Sequence, residues 1–160
     1  MKTIDSRLLE DLSSAAKTNP RRRQHHNLHD TLDEPCQRLL IAMEPGSYLQ
    51  PHRHQLFPKP ELFIALRGMI AVLLFSDTGD VTNAYALSST GDILGFEVPP
   101  GVWHTAVSLE EGSSFLEVKP SPFKPIPAED KAPWAPAEGA PGSGGYLETI
   151  SAQARSLCGI

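Results

Sequence analysis

Apolar positions fall into two rhythms along this chain. Leu8, Leu9, Leu12, Ala15 and Ala16 recur at helical spacing, which predicts an amphipathic helix over 6–18. Asp5 or Ser6 can cap its start, and Asn19-Pro20 stops it. A helix this short is not stable alone, so its apolar face is expected to pack on the rest of the chain or on a second subunit. From Gln37 the rhythm shortens. Gln37–Met43 is an apolar strand candidate closed by Pro45-Gly46. Ser47–His54 alternates, with Tyr48, Gln50, His52 and His54 sharing one parity and hence one face of a strand. Glu61–Phe75 holds two apolar segments broken at Arg67-Gly68, and Asp77–Asp80 marks a hairpin turn. Further short strands are expected near 81–88, 93–98, 103–109 and 114–119. About eight short strands separated by regular turn signals mark an all-β sandwich or barrel.

After Lys119 prolines dominate, at 120, 122, 125, 127, 133, 136 and 141. This predicts extended chain on the surface, pinned by Phe123 and Trp134. Gly139–Gly145 reads as a flexible linker and Tyr146–Leu157 as a weak terminal helix. The organisation expected is a single domain over 1–160: an N-terminal helix and cover segment over 1–36, a barrel over 37–119 and a Pro/Gly-rich tail over 120–160.

Composition narrows the function. The chain has 160 residues, 40% hydrophobic and 21% charged, with a formal net charge of −5. That balance argues against a nucleic-acid partner, which needs a basic surface. Arg21-Arg22-Arg23 follows a helix end, where basic side chains suit the helix dipole. No apolar run approaches the ~18 residues of a membrane span. The N-terminus lacks the apolar stretch of a signal peptide. Cys36 and Cys158 form no CxxC pattern and are expected as reduced thiols. A cytoplasmic protein with no membrane partner is expected.

The chemistry lies in His52-Arg-His54, Glu61 and His104. In a strand, His52 and His54 share a face about 7 Å apart along the chain. Glu61 opens an apolar strand, where a carboxylate is costly unless paired or bound to a metal. Taken singly, each has a plainer reading as a surface pair, a solvated acid or a half-buried histidine. Taken together, three histidines and a carboxylate suit one divalent transition metal, with Fe, Zn, Ni or Mn the candidates.

These residues resemble a family pattern. Gly46, five residues, His52-x-His54, then Glu61, six residues and Gly68 resemble the first cupin motif. Pro99-x-Gly101-x-x-His104 resembles the second. The gap from His54 to Glu61 is longer than usual, Ile93 stands where a glycine is expected, and Ser108 where an asparagine often is. Arg23, Asn27-Leu-His29, Gln37-Arg38, the run from Ser47 to His54, Lys59-Pro-Glu61, the run from Pro99 to Thr105, Glu117-Val-Lys119 and Ala132–Pro136 further resemble the small cupin metalloproteins of the WbuC family. That resemblance implies an all-β double-stranded β-helix of the jelly-roll type with a short N-terminal helix. It implies a metal at His52, His54, Glu61 and His104, and a place in bacterial surface-polysaccharide metabolism. The function expected is binding or conversion of a small oxygenated, sugar-like molecule or a carboxylate, by an isomerase, epimerase or dioxygenase type of chemistry. The alternative is a non-catalytic metal-dependent binding module. A homodimer is expected, because small barrels leave edge strands that pair.

Around this centre, Tyr48 and Lys59 are the candidates for catalysis, and Gln50, Tyr48 and Lys59 for substrate contact. Arg53 and Trp103 should point away from it. Glu117 and Lys119 are expected slightly more on the barrel exterior than in its pocket. His25, His26 and His29 read as a polar loop over the barrel mouth or at a subunit contact, rather than as a second metal site.

Overall fold

The computed structural model describes residues 1–160. Its elements run α1 (Ser6–Thr18), β1 (Arg23–Asn27), β2 (Cys36–Met43), β3 (Glu61–Arg67), β4 (Met69–Phe75), β5 (Val81–Ser88), β6 (Gly95–Val98), β7 (Trp103–Ser108), β8 (Ser113–Pro120) and α2 (Ser143–Cys158). All strand pairs are antiparallel, in one sheet ordered β1-β2-β8-β3-β6 and a second ordered β5-β4-β7. Two antiparallel sheets facing each other make the expected all-β jelly roll of the cupin type.

Both faces of both sheets are used. Asp5 caps α1 by accepting the Leu8 N–H at 2.9 Å. Leu12 and Ala16 of that helix pack on Leu40 and Ala42 of β2. The opposite parity of β2 turns inward, so the strand carries apolar side chains on both faces. Between the sheets Phe63, Ile70, Val72 and Phe115 form the inner core. On the far face of β4, Ala71, Leu73 and Phe75 pack with Trp103, Leu147 and Ile150. Burial on both sides explains why Met69–Phe75 is uninterrupted apolar sequence rather than an alternation. Gly68, at φ +65°, turns β3 into β4, and a Cβ there would lie 2.6 Å from Ser113 Oγ.

Three segments differ from the sequence expectation. Ser47–His54 is extended but is no ladder strand: only His52 bridges, to His104 on one side and Lys131 on the other. Pro45 and Pro51 lack the N–H groups a continuous ladder needs. Arg23–Asn27 is not loop but an edge strand paired with β2. It is polar throughout, so it carries no alternation to reveal it. The tail is more than surface chain. Asp130, Ala132 and Ala135 are buried, and the Ala132 N–H donates to the Pro51 carbonyl at 2.9 Å. The glycine stretch does not stay a linker. α2 starts at Ser143, bounded by Gly142 and Gly159 in left-handed conformation. Cys36 and Cys158 are unpaired. No helix is long and apolar enough to cross a membrane.

Candidate metal centre

His52 and His104 meet through a pair of backbone hydrogen bonds, His52 N–H to His104 O at 2.9 Å and the reverse at 2.8 Å. That places β7 directly beside the His52-x-His54 segment. On its other side the tail holds the same segment, with the Arg53 N–H donating to the Asp130 carbonyl at 2.9 Å. Glu61 comes from the start of β3, opposite Val98 of β6. His52, His54, Glu61 and His104 are all buried, and one ligand atom from each lies within 4.8 Å of the others.

The donor geometry is specific. Carbonyl oxygens only accept, so His52 Nδ1–H donates to Gln50 O at 3.1 Å and His104 Nδ1–H to Val102 O at 2.9 Å. Each bond turns the Nε2 of its ring to the centre. His104 Nε2 lies 2.9 Å from Glu61 Oε2 and His52 Nε2 3.9 Å from the same oxygen. His54 Nε2 is 3.0 Å from Glu61 Oε1, yet it is aligned for no hydrogen bond and is buried. Burial, then repulsion from His104, pushes His52 down to about 3, so this ring is neutral near neutral pH. Burial opposes the Glu61 charge, but His104, His54 and Lys119 outweigh it and hold the carboxyl well below its ordinary value. Inward-facing nitrogen lone pairs and an ionised carboxylate in a buried site are a donor set that suits a divalent cation.

Lys119 and Glu117 correct an expectation. Both line the cavity rather than the exterior. Across the ladder Gln37 faces Lys119, while Glu117 lies between Leu39 and Phe63. Lys119 Nζ contacts Glu61 Oε1 at 2.8 Å and Glu117 Oε1 at 2.5 Å. Burial works against its charge, but the two carboxylates prevail and raise its pKa. An acid and a base two residues apart on a strand otherwise apolar on its other parity were the available signal.

The remaining predicted residues scatter. The Tyr48 hydroxyl donates to Pro136 O at 2.7 Å, and its ring packs edge-on to Tyr146 at 6.0 Å. Gln50 Nε2 donates to Ala132 O at 3.0 Å. Both therefore serve the tail contact. Lys59 is buried with no ion-pair or hydrogen-bond partner for its ammonium; burial and then Lys119 lower its pKa. Arg53 points away from the site, 4.2 Å over the Trp103 ring. Trp103 donates Nε1–H to Asp77 at 3.0 Å. His25 lines the cavity mouth, and His29 is buried against Arg38, accepting its N–H at 3.1 Å. The histidine cluster gathers no second set of metal donors.

Above the cluster opens a cavity of about 320 Å³. Apolar side chains from β2, β3 and β8 form its walls. At its mouth Arg21 and Arg23 share one carboxylate, Glu138 of the tail, with Arg21 Nε at 2.5 Å and Arg23 Nη2 at 2.6 Å.

Jelly-roll architecture with a buried His-His-Glu-His cluster at the base of a cavity makes a cupin-type fold with a site that could hold a metal ion. The chain belongs to the family described as a domain of unknown function, DUF6016, whose model matches residues 4–87, more than half of its length. No curated protein matches it. Among solved structures, KdgF from Halomonas sp. is similar at 22% identity, covering 67% of this chain and 85% of that one, with a TM-score of 0.50. The protein TT1209 from Thermus thermophilus is similar at 23% identity, covering 76% and 98%, with a TM-score of 0.50. A mutant of Bacillus subtilis oxalate decarboxylase OxdC is similar at 17% identity, covering 82% of this chain and 32% of that one, with a TM-score of 0.51. These likenesses concern the fold.

Proposed function

We propose that His52, His54, Glu61 and His104 bind one divalent transition metal ion, and that the cavity above them receives a small oxygenated molecule. The carrying observation is the convergence of these four ligand atoms within 4.8 Å, with the His52 and His104 rings fixed by their Nδ1–H bonds. Bound there, the ion would supply Lewis-acid chemistry, or redox chemistry if it is iron. The chain's own residues orient and charge the site. Lys119 steadies the carboxylate of Glu61, and the surrounding apolar walls exclude water. The resemblance to the WbuC family supports a sugar-like molecule of surface-polysaccharide metabolism as the ligand, in the cytoplasm.

For turnover by isomerisation or epimerisation, a side chain must move a proton. Burial raises the Tyr48 pKa, and the hydroxyl is bound to Pro136, away from the cluster. Lys119 is held between two carboxylates. Lys59 alone of the two catalytic candidates keeps a free ammonium near Glu61 and Glu117. The second reading, a binding module without turnover, is favoured by the same engagement of Tyr48 and Lys119. β1 leaves an unpaired edge on the five-stranded sheet, which supports a homodimer.

Cobalt(II) loading tests the site. One equivalent should give visible absorption that shifts when a small carboxylate or diol is added, and His104→Ala should abolish the bands. Saturable cobalt absorption unaffected by His104→Ala would overturn the assignment.

A further inference from the structure

We infer that the molecule taken up by this cavity is an organic acid with an apolar body, held with its oxygen donors at the four-residue cluster. This rests on the metal reading above and departs from the sugar-like ligand that the WbuC resemblance favours.

The walls decide the body. Leu39, Ile41 and Met43 from β2, Phe63 from β3 and Phe115 from β8 line the space. The register explains their agreement, since Ile41 faces Phe115 across one ladder and Phe63 faces Glu117 across the next. None of these five side chains can donate or accept a useful hydrogen bond. Sugar hydroxyl groups turned towards these five side chains would lose water and find no partner on them, whereas an aromatic or branched aliphatic body loses nothing polar. The polar lining groups are the cluster with Lys119 and Glu117, and Arg21, Arg23, Gln24 and His25 on and just before β1.

The charge decides the head. Arg21 and Arg23 contact Glu138, and Lys119 contacts Glu61 and Glu117, so three cations face three carboxylates. No other carboxylate lines the cavity. A divalent ion at the cluster therefore adds two positive charges that no side chain offsets. In a buried, apolar-walled site such an excess favours an anionic ligand over a neutral one. A carboxylate with a neighbouring oxygen satisfies this charge and the metal at once, as in a 2-oxo or 2-hydroxy acid.

The test uses the full-length protein loaded with cobalt(II), its metal content measured, and titrated calorimetrically with three probes. Phenylpyruvate is an acid with an apolar body, galacturonate an acid with a polar body, and galactose neutral and polar. Phenylpyruvate should bind at least ~10-fold tighter than galacturonate, and galactose weakest of the three. Ile41→Thr, smaller and carrying a hydroxyl in place of the ethyl group, should narrow the gap between the two acids severalfold while metal content stays unchanged. Protein that takes up no metal overturns the metal reading and this inference with it. Protein that takes up metal but binds galacturonate or galactose as tightly as phenylpyruvate overturns this inference alone, as does an unchanged preference in Ile41→Thr.

Discussion

Asp130 Oδ2 accepts the backbone N–H of Leu56 at 3.0 Å, and that of Gln55 at 3.1 Å, directly after His54 in the chain. The buried carboxylate thus fastens the loop between His54 and Glu61 to the tail. With Ala132 N–H on Pro51 O and Arg53 N–H on Asp130 O, the tail replaces the neighbouring strand that the His52-x-His54 segment lacks. The backbone that carries His54 is therefore held by a residue more than seventy positions away.

Asp130→Ala should weaken metal binding roughly 10-fold or more, since supports behind metal ligands typically matter that much. It should also destabilise the protein by about 2–3 kcal/mol, because two buried N–H groups lose a charged acceptor. Asp130→Asn keeps an oxygen in place and should recover most of the affinity. Competition with a chromophoric chelator measures both. Equal affinity in all three proteins would show that the tail does not position His54.

Lys119 separates the charges of Glu61 and Glu117. Lys119→Met leaves two buried carboxylates side by side and should destabilise the metal-free protein by about 3 kcal/mol. A bound divalent ion neutralises Glu61 in place of the lysine, so the loss should be smaller in metal-loaded protein. Urea unfolding with and without metal reads the difference. A penalty independent of metal would contradict the charge argument.

His52 gives the metal-free fold a pH dependence. Its ordinary pKa of about 6.5 governs the unfolded chain, while in the fold it is pushed down to about 3. Between these values the unfolded chain binds a proton that the fold refuses. The stability present above about 6.5 is therefore lost as pH falls, by roughly 1.4 kcal/mol per unit at most. Glu61, held low, adds loss in the same direction at still lower pH. The urea midpoint of metal-depleted protein should drop between pH 7 and 5, and His52→Gln should flatten the drop. A flat midpoint in the unsubstituted protein would refute this.

Gly68→Ala should cost about 2 kcal/mol or more. The residue sits at φ +65°, and the added Cβ would lie 2.9 Å from the Ser113 Cα as well as 2.6 Å from its hydroxyl. Ser113 Oγ also accepts the Met69 N–H, so relief by movement would break the start of β4. Thermal unfolding measures this, and an unchanged midpoint would show that the turn yields freely.

What was legible in the sequence was whatever follows a short period. Residues 6–18 spaced apolar groups as a helix does, and the structure has α1 at Ser6–Thr18. The break at Arg67-Gly68 and the turn after Phe75 likewise appear between β3, β4 and β5. The convergence of His52, His54, Glu61 and His104 followed from motif spacing despite the long loop before Glu61. Less legible was everything set by distant partners. β1 is polar on both faces, and its pairing with β2 leaves no periodic trace. The shared parity of Tyr48, Gln50, His52 and His54 suggested one working face, but Pro51 interrupts the ladder and the tail captures the first two. Glu117 and Lys119 point inward because Glu61 lies across the sheet from them, a fact of register rather than of local sequence.

Elemental analysis of protein purified without added metal reads whether His52, His54, Glu61 and His104 hold an ion. Close to one equivalent of a transition metal per chain is expected, and little or none in His54→Ala that is otherwise folded. Metal-free protein that takes up none on loading, or full occupancy in His54→Ala, would contradict the metal assignment.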